Sequence, residues 1–421
     1  MRDLFAIAVA TTLGLAGVAA AKAPTESVMY SFKGDRSGSE PWAPLISDKS
    51  GGFYGTTSGN GSKSLACGSA FQLNPPTGKN KPWRLQQLHA FVLETGDGCT
   101  PSGGLIADPS GVLYGTTSMG GATNGGTVFA LTPPAAGGKD WPETILYSFT
   151  DYATPNGGLI RDARGVLYGA TGRGGATENG SIFALAPPGK GQTSWTETTL
   201  YSFQGGASDV DLVPTGPLVK DATGALYGTT YYGDATSCQD GQGCGTVFKV
   251  APPAPGQTTW TETVLWSFSG GTDGGNPYAG LILDKSGALY GATVYGNPGS
   301  VVFKLSPPAA GQTSWTLSAL HTFEGNQDGE FNYGGVIFDA RGNLYGTTLG
   351  GGPTDDGTVF KLSPPAAGQT NWTETILYGF MGGSDGRYPY SGLVRGAAKN
   401  LFGTTSEGGA QGWGTVFEVT P

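Results

Sequence analysis

A short apolar run followed by Gly-Thr-Thr or a close variant returns seven times along the chain. It occurs at Phe53-Tyr54-Gly55, Leu113-Tyr114-Gly115, Leu167-Tyr168-Gly169, Leu226-Tyr227-Gly228, Leu289-Tyr290-Gly291, Leu344-Tyr345-Gly346 and Leu401-Phe402-Gly403, 54 to 63 residues apart. Variants of the surrounding segment fill the sequence from near residue 27 to the last residue. A period of this length marks stacked or radial supersecondary units, each unable to bury its apolar face alone.

Each unit contains four strand-like runs. The first is of the type Gly104-Leu105-Ile106, followed by a polar turn such as Asp108-Pro109-Ser110-Gly111. Asp and Gly suit that turn because Asp bonds nearby backbone and Gly accepts positive φ. The second run is the Leu-Tyr-Gly strand. The third, as in Thr358-Val359-Phe360-Lys361-Leu362, alternates apolar and polar residues like a half-buried strand. A Pro-Pro pair then stops the ladder, since proline has no N–H to donate. The fourth is the run from Trp195 to Phe203 and its equivalents. Four short strands per unit, seven times over, predict an all-β, seven-bladed β-propeller with four-stranded blades. A β-solenoid is the rival, but its coils are usually shorter and need fewer turns. The chain ends after a third strand, Gly414 to Val419, while Val28-Met29-Tyr30-Ser31-Phe32 is a spare fourth strand at the start. The N-terminal strand is therefore expected to close the last blade and remove an exposed edge.

Residues 1–23 read as a signal peptide, with an apolar stretch from Leu4 to Val18 and small residues near Ala21 and Ala23. The stretch is short of the roughly 20 residues that span a bilayer, and no cysteine follows it to carry a lipid. Residues 24–421 are expected to form one propeller domain, secreted or periplasmic and monomeric. The formal net charge of -9 argues against a nucleic-acid partner. No second apolar segment is long enough to span a membrane.

Four cysteines in an exported chain point to disulfides. Cys238 and Cys244 share one connection; Cys67 and Cys99 lie in connections that a propeller brings to the same face of adjacent blades. The predicted pairs are Cys67–Cys99 and Cys238–Cys244. Metal binding by these cysteines is the rival, but paired C-x-x-C spacing and histidine partners are missing.

Six tryptophans, Trp83, Trp141, Trp195, Trp260, Trp315 and Trp372, recur at one repeat position. They are a sugar-stacking row or, more simply, blade-to-blade packing. Trp42 breaks the pattern and precedes the first strand of its blade, where a binding face is expected. The two histidines, His89 and His321, occupy the position of Tyr147, Tyr201, Trp266 and Tyr378, and read as aromatic substitutes on an outer strand. No nucleophile elbow, P-loop or H-E-x-x-H is present.

The loops between blades often carry Asp-Gly, at Asp97, Asp273, Asp328 and Asp385, with Asp151 and Asp209 in similar places. Carboxylates gathered on one face could hold Ca²⁺ or act as acid and base on a glycoside; as single residues they simply make turns. Departures from the repeat are stronger binding candidates: Asp211, Glu330, Asn332, Arg387 and Tyr388. No catalytic residue stands out, and Ca²⁺ is the one cofactor the pattern raises.

Leu-Tyr-Gly-Thr-Thr, then Gly-Gly, then Gly-Thr-Val-Phe-x-Leu resembles the GloVer repeat of the choice-of-anchor tandem repeat proteins, a bacterial family. The resemblance covers all seven copies. It implies an exported repeat protein without an assigned activity, often with a C-terminal sorting anchor; the sequence stops at Pro421 without that tail, so a soluble form is expected. The Asp-x-x-Gly-x-Leu-Tyr pattern is more distantly similar to NHL-type and lactonase-type propellers, which include enzymes. A binding or scaffold module for a carbohydrate or protein is the leading expectation. A carboxylate-based hydrolase or lyase acting on a sugar or lactone, with Ca²⁺ as its candidate cofactor, is the alternative.

Overall fold

A computed structural model of the chain describes residues 23–35, 37–59, 66–93, 96–135, 138, 140–150, 152–205, 214–233, 238, 242–396 and 398–421. Residues 1–22, where the signal peptide is expected, and Asp151, Asp209 and Asp211 lie outside the described residues. Seven four-stranded antiparallel sheets follow one another as blades of a propeller. In blade 1 the order from the axis outwards is Ile46–Ser47, Phe53–Thr57, Ala66–Asn74 and Arg84–Val92. Blades 2 to 6 repeat it. Blade 7 takes three strands from the C-terminus and its outer strand, Thr25–Ser31, from the N-terminus, paired antiparallel with Thr415–Thr420.

Each letter of the repeated Leu-Tyr-Gly-Thr-Thr strand has a separate physical role, seen in blade 2 at Leu113–Thr117. Leu113 is wholly buried. Tyr114 donates its hydroxyl to Asp108 at 3.4 Å, and Asp108 also accepts the N–H groups of Ser110 and Val112. The turn is thereby tied to the strand it feeds. Gly115 faces the ring of Phe129 on the third strand; a Cβ on Gly115 would lie 2.6 Å from Phe129 Cζ. Thr116 donates to the carbonyl of Gly157 in the next blade at 3.1 Å. Thr117 shares a 2.8 Å hydrogen bond with Thr127 of the third strand. Blade 7 shows the logic by its departure: the turn Asp becomes Gly396 and the tyrosine becomes Phe402, so donor and acceptor are lost together.

The phenylalanine that ends each outer strand packs against the third-strand phenylalanine of the following blade, mostly edge-on. Examples are Phe91 on Phe129 at 5.0 Å, Phe149 on Phe183 at 5.0 Å and Phe380 on Phe417 at 5.1 Å. Such pairs add roughly 0.5–1.5 kcal/mol beyond the area they bury. The recurring tryptophans also take the packing role: Trp141 meets Tyr54 of the preceding blade at 5.8 Å and Trp195 meets Tyr114 at 6.2 Å.

Loops between blades and connections between second and third strands meet on one face, as the cysteine reading required. Short bridges join them at Ser39 and Gly59, Gly98 and Gly120, Glu330 and Gly350, and Arg387 and Glu407. On that face Cys67 is bonded to Cys99 and Cys238 to Cys244, the two predicted pairs. No helix among the described residues is long and apolar enough to cross a membrane.

Candidate functional site

The residue three places before the inner-strand Leu or Val lines the propeller axis in every blade. Around the ring these are Trp42, Ser102, Asn156, Thr215, Tyr278, Tyr333 and Tyr390, and they border an axial cavity of about 280 Å³. The ring is divided. Blades 5, 6, 7 and 1, which adjoin through the closure, contribute four aromatics; blades 2, 3 and 4 contribute a hydroxyl, an amide and a hydroxyl.

The aromatic half forms one continuous cluster. Tyr333 and Tyr390 stack at 4.6 Å with 19° between their planes, and Trp42 leans on Tyr390 at 5.9 Å. Tyr278 meets both tyrosines edge-on, at 5.3 and 5.6 Å. Tyr231, from a blade 4 connection, extends the cluster at 6.1 Å from Tyr278. Trp42 remains 41% exposed, so an indole face is open at the cavity mouth. Burial, reinforced by Tyr278, pushes the Tyr390 hydroxyl well above the ordinary tyrosine range, and burial does the same to Tyr333. These phenols stay protonated and act as hydrogen-bonding groups, not bases. In the polar half, Ser102 Oγ is buried with no hydrogen-bond partner among the described residues. No Asp, Glu, His, Lys or Arg lines the cavity among the described residues.

Of the residues singled out in the sequence, Trp42 is the one that lines this cavity. Asp97, Asp273, Asp328 and Asp385 instead fasten the turn that leaves an outer strand. Asp97 accepts from His89 Nε2 at 2.9 Å and from the Val92 and Gly98 N–H groups. Asp273 accepts from Trp266 Nε1 at 3.2 Å and from the N–H and hydroxyl of Ser269. Asp328 accepts from His321 Nε2 at 3.2 Å and the Glu324 N–H. Asp385 accepts from the Tyr378 hydroxyl at 2.9 Å and the Met381 and Gly383 N–H groups. The four share one junction role and do not converge on the axis.

Glu330 lies in the loop bridge to Gly350, its carboxyl raised by burial and then by Asp355. Asn332 is fully buried where other blades have proline; its Oδ1 accepts the Gly335 N–H at 2.8 Å and its Nδ2 has no partner among the described residues. Arg387 is paired with Glu407, and its guanidinium sits 5.0 Å from the Tyr388 ring centre. Tyr388 has a φ of 58°, the left-handed conformation also held by Glu40, Thr100, Thr154, Asn276 and Phe331 at the same repeat position. Tyr278, Tyr333 and Tyr390 do not stand out singly in the sequence. Three residues before the inner-strand apolar residue, they and Trp42 occupy one repeat position in four adjoining blades.

At two junctions the histidine and aspartate meet a second carboxylate from the next outer strand. His89 Nε2 lies 3.6 Å from Glu143 Oε2, and His321 Nε2 lies 3.8 Å from Glu374 Oε1. Burial would lower the His89 imidazole's pKa, but the Asp97 hydrogen bond and the Glu143 charge outweigh it and leave it raised. Burial pushes Glu143 up to about 7, and burial with the Asp328 contact pushes Glu374 up to about 9.

No curated protein matches the chain by sequence. Three solved propeller-type structures are similar in shape. A candidate 6-phosphogluconolactonase from Bacteroides uniformis is 13% identical with a TM-score of 0.46, covering 80% of this chain and 88% of its own. A candidate oxidoreductase (glucose dehydrogenase) from Thermus thermophilus is 14% identical with a TM-score of 0.42, covering 94% and 100%. A gluconolactonase from Xanthomonas campestris is 13% identical with a TM-score of 0.40, covering 74% and 82%. The seven-bladed architecture rests on the chain's own strand pairing, not on these likenesses. The family model described as the Gloeobacter/Verrucomicrobia repeat matches residues 17–163, 137–317 and 297–421. With residues 17–421 inside those matches, the chain belongs to the Gloeobacter/Verrucomicrobia repeat family.

Proposed function

We propose that the protein is a secreted or periplasmic binding module whose axial mouth takes a neutral ligand with an apolar ring face and hydroxyl groups, a carbohydrate in the first instance. The observation that carries this reading is the division of one repeat position into four adjoining aromatics and three small polar residues around a single cavity. Packing does not demand aromatics there, because blades 2 to 4 are built without them. Ligand sites are typically apolar and aromatic with a few placed polar groups. The unpartnered Ser102 Oγ is one such group, since buried polar atoms are otherwise almost always satisfied. The lack of charged lining residues among the described residues favours a neutral ligand. An apolar leader and two disulfides fit an oxidising compartment.

The second reading, a carboxylate-based hydrolase or lyase, would have to use the aspartates and glutamates of the blade junctions. Residues 24–421 on a glycan array, with Ca²⁺ and again with EDTA, test both. Saturable binding to neutral glycans, unchanged by EDTA, is the expected result. Binding lost in EDTA would transfer the site to the acidic loops, and ligand cleavage over time would favour the enzyme. No glycan binding in either condition would overturn the carbohydrate reading and leave a protein ligand.

A further inference from the structure

We propose that the junctions between blades 1 and 2 and between blades 5 and 6 are two copies of a three-ligand site for a first-row divalent cation such as Zn²⁺. The ligands are His89, Asp97 and Glu143 in one, and His321, Asp328 and Glu374 in the other. In each group the ligand atoms lie within 4.8 Å of one another. Tetrahedral ligands about 2.1 Å from an ion sit about 3.4 Å apart. The imidazole-to-carboxylate distances, 2.9 and 3.6 Å at the first junction and 3.2 and 3.8 Å at the second, bracket that spacing.

The ligands are held before any ion arrives. Each His and each Glu stands on an outer strand of a different blade, and the Asp is fixed between them by backbone N–H groups, from Val92 and Gly98 at one junction and Glu324 at the other. Such outer contacts orient metal ligands. Something is also unsatisfied. Oε1 of Glu143 and Oε1 of Glu374 are buried without a hydrogen-bond partner among the described residues, and Glu374 Oε1 is the atom facing the imidazole. The two carboxyl groups and the imidazole at this largely buried place become two anionic oxygen ligands and one nitrogen ligand when an ion displaces their protons. One imidazole and two carboxylates suit Zn²⁺, Co²⁺ or Mn²⁺, with a fourth position left for water.

The other junctions are internal controls. Tyr147, Tyr201 and Tyr378 replace the histidine opposite Glu197, Glu262 and Glu26, with burial holding each phenol protonated, and at the ring closure Tyr30 stands with Leu85 where the glutamate would be. At the junction of blades 4 and 5, Trp266 donates to Asp273 and Leu317 stands where the glutamate would be. The imidazole therefore brings a metal-ligating nitrogen to two junctions whose neighbours are built without one.

Zn²⁺ titration of the metal-free protein by calorimetry tests the proposal, with Co²⁺ absorption as a second readout. Two equivalents of tight Zn²⁺ binding are expected, together with a visible Co²⁺ spectrum of low-coordinate type and a melting midpoint raised by several degrees. His321→Tyr should leave one equivalent, and the His89→Tyr/His321→Tyr double variant none. Tyrosine is the residue four other junctions carry, at Tyr30, Tyr147, Tyr201 and Tyr378, so the variants keep an aromatic ring at the junction, and their metal-free melting midpoints check folding. A wild-type protein that binds no Zn²⁺, or a folded double variant that binds as much as wild type, would overturn the proposal. The assay contains no carbohydrate, so its outcome is independent of the axial site.

Discussion

Phe32, just beyond the N-terminal strand, packs edge-on against Phe71 of blade 1, with ring centres 5.4 Å apart and planes at 68°. This contact joins the strand that completes blade 7 to the first blade, and it closes the series of phenylalanine pairs around the propeller. Both rings are fully buried. Phe32→Ala should destabilise the protein by about 3–5 kcal/mol, the range for emptying a buried aromatic site. Urea unfolding followed by tryptophan fluorescence reads it. A loss below about 1 kcal/mol would mean that the N-terminal strand is dispensable for closure.

Gly346 should not tolerate alanine. A Cβ there would lie 2.6 Å from Phe360 Cζ and from the Gly335 carbonyl oxygen. Overpacking of this kind costs about 1–3 kcal/mol. Adding Phe360→Leu should recover part of the loss, because the ring is one of the two obstacles. A double-variant cycle with no coupling would contradict the assigned role of the glycine.

Glu26 gives the protein an acid-side preference. Burial, then the charge of Asp385, pushes its carboxyl from 4.5 up to about 7 in the folded chain. The folded form therefore binds the proton more tightly than the unfolded form. The stability this contributes is fully present below about 4.5 and is lost as pH rises through about 7. Melting midpoints at about pH 5 and about pH 8 should differ less in Glu26→Gln than in the wild type. An identical difference in both would show that Glu26 does not titrate as described.

The Cys67–Cys99 bond ties a blade 1 connection to the loop entering blade 2 and closes a separation of 32 residues. Replacing both cysteines with alanine should cost about 2–4 kcal/mol, most of it through the unfolded chain. The denaturation midpoint of the double variant, compared with that of the oxidised wild type, reads the effect; equal stability of the two would contradict it.

The fold was legible because its period, its Asp-Gly turns and the unmatched Val28–Phe32 strand all lie on the surface of the sequence. The site was less so. Asp97, Asp273, Asp328 and Asp385 drew attention as carboxylates, but their partners stand seven or eight residues earlier, at His89, Trp266, His321 and Tyr378. Those four had been recognised as one repeat position; its pairing with the aspartates needed the strand geometry. Trp42 was noticed as an irregularity, whereas Tyr278, Tyr333 and Tyr390 each look ordinary in a tyrosine-rich chain. Only ring closure, which sets blade 7 beside blade 1, makes the four aromatics neighbours.

The aromatic half-ring at the axis is the proposed ligand site. The most direct measurement is calorimetric titration of wild type, Trp42→Ala, Tyr390→Ala and the control Trp83→Phe with the best neutral glycan from the array. Trp42→Ala and Tyr390→Ala should each weaken binding about tenfold or more, the loss expected for removing an aromatic anchor, while Trp83→Phe binds like wild type. Wild-type affinity in folded Trp42→Ala and Tyr390→Ala would contradict the claim and place the ligand away from the axis.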